Sequence, residues 1–140
     1  MRFWDSSAII PLCVAEPATE IVQVLAAKDE DLVVGWATRV ECISAIARRR
    51  REGGLTAQAE GQARVAPFAL AGEWSEVQPA EPVRHRAERI LMVHPLRAAD
   101  ALQLAAALIW AEEATSGVEF VCLDQNLRES ALKEGFAVLP

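Results

Sequence analysis

Short apolar runs, each closed by a polar residue and each followed by a stretch of helical periodicity, constrain this chain more than any other feature. Residues 3–4, 32–36, 74–77, 118–123 and 136–139 read as strands, the fourth a continuous apolar run of the kind buried in the middle of a parallel sheet. The residues from Ser6 onward and the stretches 17–28, 38–51, 56–70, 82–93, 98–114 and 125–134 read as helices. Val40, Ile43, Ile46 and Ala47 form one stripe, Gly53 and Gly54 end that helix, and Gly135 caps the last one. Strands that alternate with helices pair in parallel through right-handed crossovers, which gives a three-layer α/β/α domain around a sheet of four to five strands.

The length of 140 residues, of which 52% are hydrophobic, suits one domain over 1–140 with a real core. The longest apolar run, 98–111, carries Asp100 and Gln103, so no membrane span is expected. Asp5 and Pro11 interrupt the apolar segment after Arg2, which argues against a signal peptide and for a cytoplasmic protein. Cys13, Cys42 and Cys122 are odd in number and set among apolar neighbours, as reduced core thiols are. His85 and His94 have no partner at metal-ligand spacing and read as surface or helix-end residues, and the four tryptophans, Trp4, Trp36, Trp74 and Trp110, read as core or interface. A net charge of −6 speaks against gripping nucleic acid by bulk charge, though local basic runs remain.

Four acids occupy comparable positions. Asp5 and Asp124 directly follow apolar strands, while Glu41 and Asp100 fall in the first turn of a following helix. Each has an ordinary structural reading: Asp5 and Asp124 as N-caps, Thr38 with Glu41 as a capping box, Asp100 as a partner of the helix dipole. Together they say more, because strand ends and helix starts in this fold share one edge and so one crevice. Asp100 interrupts the apolar helix AADALQLAAAL, where an unpaired charge is expensive. Carboxylates gathered without His or Cys select hard ions, Mg²⁺ or Mn²⁺.

The segments FWDSSAII, TRVECISAIARR, LRAADALQLAAAL and FVCLDQNLRESALKEGFAVLP resemble, in that order, the four acidic blocks of PIN-domain nucleases. In length the chain resembles the VapC ribonuclease toxins of bacterial toxin–antitoxin pairs. The resemblance implies that Asp5, Glu41, Asp100 and Asp124 hold Mg²⁺ or Mn²⁺ for hydrolysis of RNA phosphodiester bonds, with Ser6 supporting the site. It also implies a homodimer and an antitoxin whose Arg-containing tail occupies the acidic pocket. One position departs from the pattern: Cys122 stands where the family often carries a hydroxyl residue two places before the last acid. The basic run Arg48, Arg49, Arg50 and Arg51 is a candidate track for the RNA backbone, or else a solvated helix end that complements the dipole. Arg39 and Arg97, each near an acid in sequence, are candidates to bind phosphate or to pair with a carboxylate.

Two other classes compete. A phosphoryl-transfer domain also sets an Asp after a central strand, but Ser7 stands where a DxD pattern needs its second acid, and neither Lys28 nor Lys133 follows a late strand. A PIN-like module that has lost its chemistry would serve only to bind a partner; retention of all four acids argues against it.

Overall fold

Trp4 and Phe3 set the architecture, because neighbouring residues of a strand face opposite sides and both of these are fully buried. Phe3, Val33 and Phe120 point into one hydrophobic layer and Trp4, Val34 and Val121 into the other. A sheet apolar on both faces must be covered on both, and this one is. The computed structural model describes residues 1–140.

The five strands are β1 (Arg2–Trp4), β2 (Leu32–Gly35), β3 (Ser75–Val77), β4 (Glu119–Val121) and β5 (Ala137–Leu139). All pair in parallel in the order β3-β2-β1-β4-β5, with Phe3 opposite Val33 on one side and Phe120 on the other. The chain thus starts in the middle, builds outward to β3, and returns to build the other half. The order reverses beside β1, so the crevice beyond the carboxyl ends of β1 and β4 is the switch point where ligands of open α/β sheets bind.

On the Trp4 face lie α1 (Ser6–Cys13), α2 (Thr19–Ala26), α3 (Thr38–Arg51), α4 (Ala57–Ala63) and α5 (Ala66–Ala71). On the Phe3 face lie α6 (Glu81–Val93), α7 (Ala98–Trp110) and α8 (Gln125–Lys133). The expected three-layer, PIN-like α/β/α architecture is the one observed, and α3 spans the expected residues. The single helix expected over 56–70 is two: Arg64 and Val65 break it, and Pro67, which has no N–H to donate, sits in the first turn of α5. The helix expected to reach residue 114 ends at Trp110, because Glu112 and Glu113 adopt left-handed backbone angles, φ 51° and 61°. No helix is long and apolar enough to cross a membrane.

His94 is at a helix end, as expected, but it is buried. Its Nε2 lies 2.7 Å from Glu134 Oε1, and Arg86 donates to the other carboxylate oxygen at 2.9 Å, which ties the end of α6 to the end of α8. The three cysteines are unpaired; Cys42 and Cys122 are buried and Cys13 partly so. Trp4 and Trp74 are core residues, whereas Trp36 corrects the expectation for tryptophans. Its strand stops one residue earlier, at Gly35, and the indole emerges 54% exposed at the sheet's carboxyl edge.

Candidate active site

Asp5 follows β1 directly and is the N-cap of α1, with extended backbone angles (φ −70°, ψ 153°) that turn its side chain back over the helix start. Its Oδ2 accepts from the Ser7 backbone N–H at 2.9 Å and from Ser7 Oγ at 2.5 Å, and Cys122 Sγ approaches to 3.6 Å. The capping reading is therefore correct for one oxygen. The other, Oδ1, makes no hydrogen bond, although the residue is only 3% exposed. Burial, helped by the charges of Glu41 and Asp100, pushes the Asp5 carboxyl up to about 6 against the pull of the two Ser7 bonds.

Glu41 lies in the first turn of α3, but the capping box does not form. Ala37, not Thr38, is the N-cap, and no side chain caps the helix. The Glu41 carboxylate turns toward the crevice instead: Oε2 accepts from Ser6 Oγ at 2.5 Å and Oε1 from Gln103 Nε2 at 3.1 Å. The same Gln103 amide donates to Thr38 Oγ1 at 3.0 Å. Gln103 sits three residues after Asp100 on α7, hence on the same side of that helix, so one amide ties the helix that carries Glu41 to the helix that carries Asp100.

Asp100 is half-buried in the first turn of α7. Desolvation raises its pKa, the charge of Asp124 adds to the rise, and the Arg97 backbone N–H and guanidinium oppose it. Asp124 is the exposed N-cap of α8, its Oδ1 accepting from Leu127 N–H at 2.9 Å. Glu41 and Asp100 thus act on Asp5, and Asp124 acts on Asp100, so all four acids share one rim of the sheet.

The hydroxyl missing at Cys122 comes from a neighbouring residue. Ser7 Oγ donates to Asp5 and accepts from the backbone N–H groups of Leu123, at 2.9 Å, and Asp124, at 3.3 Å. It therefore joins the β1 loop to the β4 loop. Cys122 fills the space beneath, its thiol pushed up by burial and by the charge of Asp5, and so held protonated. The sequence places Ser7, Thr38 and Gln103 in other roles, as a missing second acid, a helix cap and a break in an apolar run, and none of them in the site. The one available signal was a second polar residue, Gln103, in the apolar helix that also carries Asp100.

The donor set is all oxygen and suits a hard cation. No group of three or more His, Cys, Asp or Glu side chains is arranged as a ready metal cage. Such a donor set could hold a hard ion through one or two carboxylates, the hydrogen-bond-free oxygen of Asp5 among them, as Mg²⁺ sites commonly do with water completing the shell.

The basic candidates divide. Arg49 pairs with Glu16 and Arg50 with Glu60, while Arg48 and Arg51 are exposed without an ion pair. These four lie seven to ten residues beyond Glu41 on α3, roughly 10–15 Å along the helix axis from the acids. Arg39 lies over the Phe68 ring, 5.3 Å from its centre. Arg97, the N-cap of α7, is the arginine of the set that adjoins the acids.

A five-stranded parallel sheet flanked by helices on both faces, with four acids on the carboxyl rim of its central strands, is consistent with a three-layer PIN-like fold. Among solved structures, the chain is similar to a toxin–antitoxin complex from Klebsiella pneumoniae, at 15% identity and a TM-score of 0.63 over 90% of this chain and 89% of that one. It is likewise similar to FitAcB from Neisseria gonorrhoeae, at 18% identity and a TM-score of 0.63 over 100% and 97% of the two chains. At such identities the likeness speaks for the fold alone. No protein-family profile and no curated protein matches the chain.

Proposed function

We propose that the chain is a Mg²⁺- or Mn²⁺-dependent endoribonuclease and the toxin half of a toxin–antitoxin pair, acting in the cytoplasm as a homodimer. The observation that carries the nuclease reading is the buried Asp5, with one carboxylate oxygen unused and its pKa lifted to about 6 among further acids at the switch point. A buried acid in that state is a group built to meet a cation. The antitoxin partner is supported by the fold's likeness to a chain from a toxin–antitoxin complex.

In this reading Asp5 and Asp100 hold the ion, Glu41 and Asp124 complete its surroundings, and Ser6 and Gln103 keep Glu41 aimed inward. When bound, the ion lowers the pKa of an attacking water and neutralises charge that grows on the phosphate oxygens. Ser7 fixes Asp5 against both loops, so the acid keeps its direction through neutral hydrogen bonds rather than through an ion pair. Arg97 is positioned to meet a phosphate oxygen at the rim. Arg48 and Arg51 are free to track the backbone farther out, and an antitoxin arginine would find its counter-charge among the same acids.

The test is cleavage of a mixed-sequence RNA with Mn²⁺ or Mg²⁺, with chelator, and by Asp5→Asn and Asp100→Asn. Activity that needs the ion and disappears in both variants supports the reading; an active Asp100→Asn protein overturns it. The lack of a preformed three-carboxylate cage favours, as a second reading, a module that binds a partner without chemistry. Mn²⁺ that binds wild type no better than Asp5→Asn would decide for it.

A further inference from the structure

Beside the acids, a cavity of about 360 Å³ opens between the carboxyl ends of β2 and β3 and the starts of α3 and α6. That size is within the usual range for a pocket that takes a small organic ring system. Trp36, Val77, Val83, Gln78 and Arg84 are among its lining residues, as is Glu41 of the acid cluster. Three features need an explanation that the metal site does not supply. Trp36 stands 54% exposed on the cavity lining, just past the end of a core strand. Gly35, which precedes it, has no room for a side chain: a Cβ there would stand 2.8 Å from Gln103 Oε1. Gln103, a lining residue only 2% exposed, has a buried Oε1 with no hydrogen-bond partner, while its Nε2 is committed to Glu41 and Thr38.

We propose that this cavity receives a nucleobase adjoining the scissile phosphodiester, stacked on Trp36 and met at its edge by Gln78 and Arg84, so that it sets which base flanks the cut. The inference rests on the nuclease reading and deepens it. A base is separated from its phosphate by one sugar, and Glu41 belongs to both the cavity and the acid cluster, so the two sites adjoin, as the parts of one nucleotide require. The fixed charges on the cavity, Glu41 and Glu81 against Arg84, are acidic on balance, which rejects a phosphate inside and accepts a neutral flat ring. An aromatic face takes any base by stacking, whereas edge groups discriminate: the Gln78 amide offers a carbonyl, and Arg84, although paired with Glu81 through one nitrogen, keeps further donors.

The experiment uses adenosine, guanosine, cytidine and uridine as probes, with ribose as the base-free control, on the full chain in chelator. Binding is read from the NMR shifts of the Gln78 and Gln103 side-chain amides. The expected result is saturable binding of one or two nucleosides and none of ribose. Trp36→Ala should weaken it about five- to 150-fold and Trp36→Phe far less, the range for loss of one stacking partner. Shifts produced by N-acetyl-leucinamide but by no nucleoside would assign the cavity to a peptide and overturn the proposal, as would nucleoside affinity unchanged in Trp36→Ala. No cleavage is involved, so base-selective binding by a chain that cuts no RNA sustains the pocket while the nuclease reading fails. Conversely, RNA that is cut equally well with an abasic residue on either side of the scissile bond keeps the nuclease and removes the pocket.

Discussion

Replacing Asp5 by Asn should make the metal-free protein more stable, and the size of the gain follows from its surroundings. The substitution preserves shape and the N-cap, since Asn caps helices about as well as Asp and its Oδ1 can take the bonds from Ser7 N–H and Oγ. What it removes is a carboxyl whose pKa stands at about 6 in the fold against 3.8 for the free side chain. A raised folded-state value means that the fold favours the protonated form. Relative stability is therefore greatest below about pH 4, falls as pH climbs from 3.8 through 6, and stays low above. The difference of about two pH units corresponds to about 3 kcal/mol at neutral pH. For a chain of this length that is roughly 10 °C in Tm. Thermal melts of wild type and Asp5→Asn in chelator at pH 7.5 and pH 4 should show a large gap at the first and almost none at the second. Adding Mn²⁺ should raise wild type alone and narrow the gap at pH 7.5. A variant that is less stable than wild type at pH 7.5, or a gap that does not change with pH, would refute the view that Asp5 is held at a cost for the sake of a cation.

Ser7→Ala removes the acceptor of the Leu123 and Asp124 N–H groups and should lower unfolding stability in urea by about 1–3 kcal/mol, with larger NMR shift changes at Leu123 and Asp124 than elsewhere. Gly135→Ala forces a Cβ onto a left-handed backbone (φ +95°) and within 2.6 Å of Thr115 Oγ1; a loss of about 2–4 kcal/mol is expected, part of which Thr115→Ala should restore. At the far end of α6 and α8, burial works against ionised Glu134, but the His94 bond and the Arg86 charge prevail and lower its pKa. Its stabilisation is therefore present above about pH 4.5 and lost as pH falls through the lowered folded-state value, and the acid limb of the melting curve should flatten in Arg86→Met.

The fold was legible because its determinants are local. An apolar run ended by Asp or Gly and followed by a 3.6-residue period is enough to define strand, turn and helix, and alternation does the rest. The misjudged elements are those where one backbone fact overrides the pattern: Pro67 opening a second helix inside an alanine-rich stretch, and the left-handed pair Glu112 and Glu113 ending α7 early. The four acids were legible for the same local reason, since each stands at a strand end or a helix start. The residues that orient them were not. Ser7 reaches 116 positions along the chain to Leu123, and Gln103 reaches 62 back to Glu41, distances over which no periodicity carries information.

The acids also show that a helix cap need not use the whole of a carboxylate. A helix start at the carboxyl end of a strand leaves N–H groups without partners, and a short acid is the cheapest way to satisfy them. A carboxylate has two oxygens, however, and a cap occupies one. At Asp5 the capping oxygen takes the Ser7 bonds and fixes the direction of the group; the second makes no hydrogen bond within the protein. Where the fold needed only a cap, Ser or Asn would have served without the penalty of burying a charge. Glu41 makes the same point from the other side, because it forgoes a capping box that its spacing from Thr38 permits and turns inward to Ser6 and Gln103. Asp5, which caps with one oxygen only, and Glu41, which caps nothing, both carry carboxylate oxygens that the helices they begin do not use.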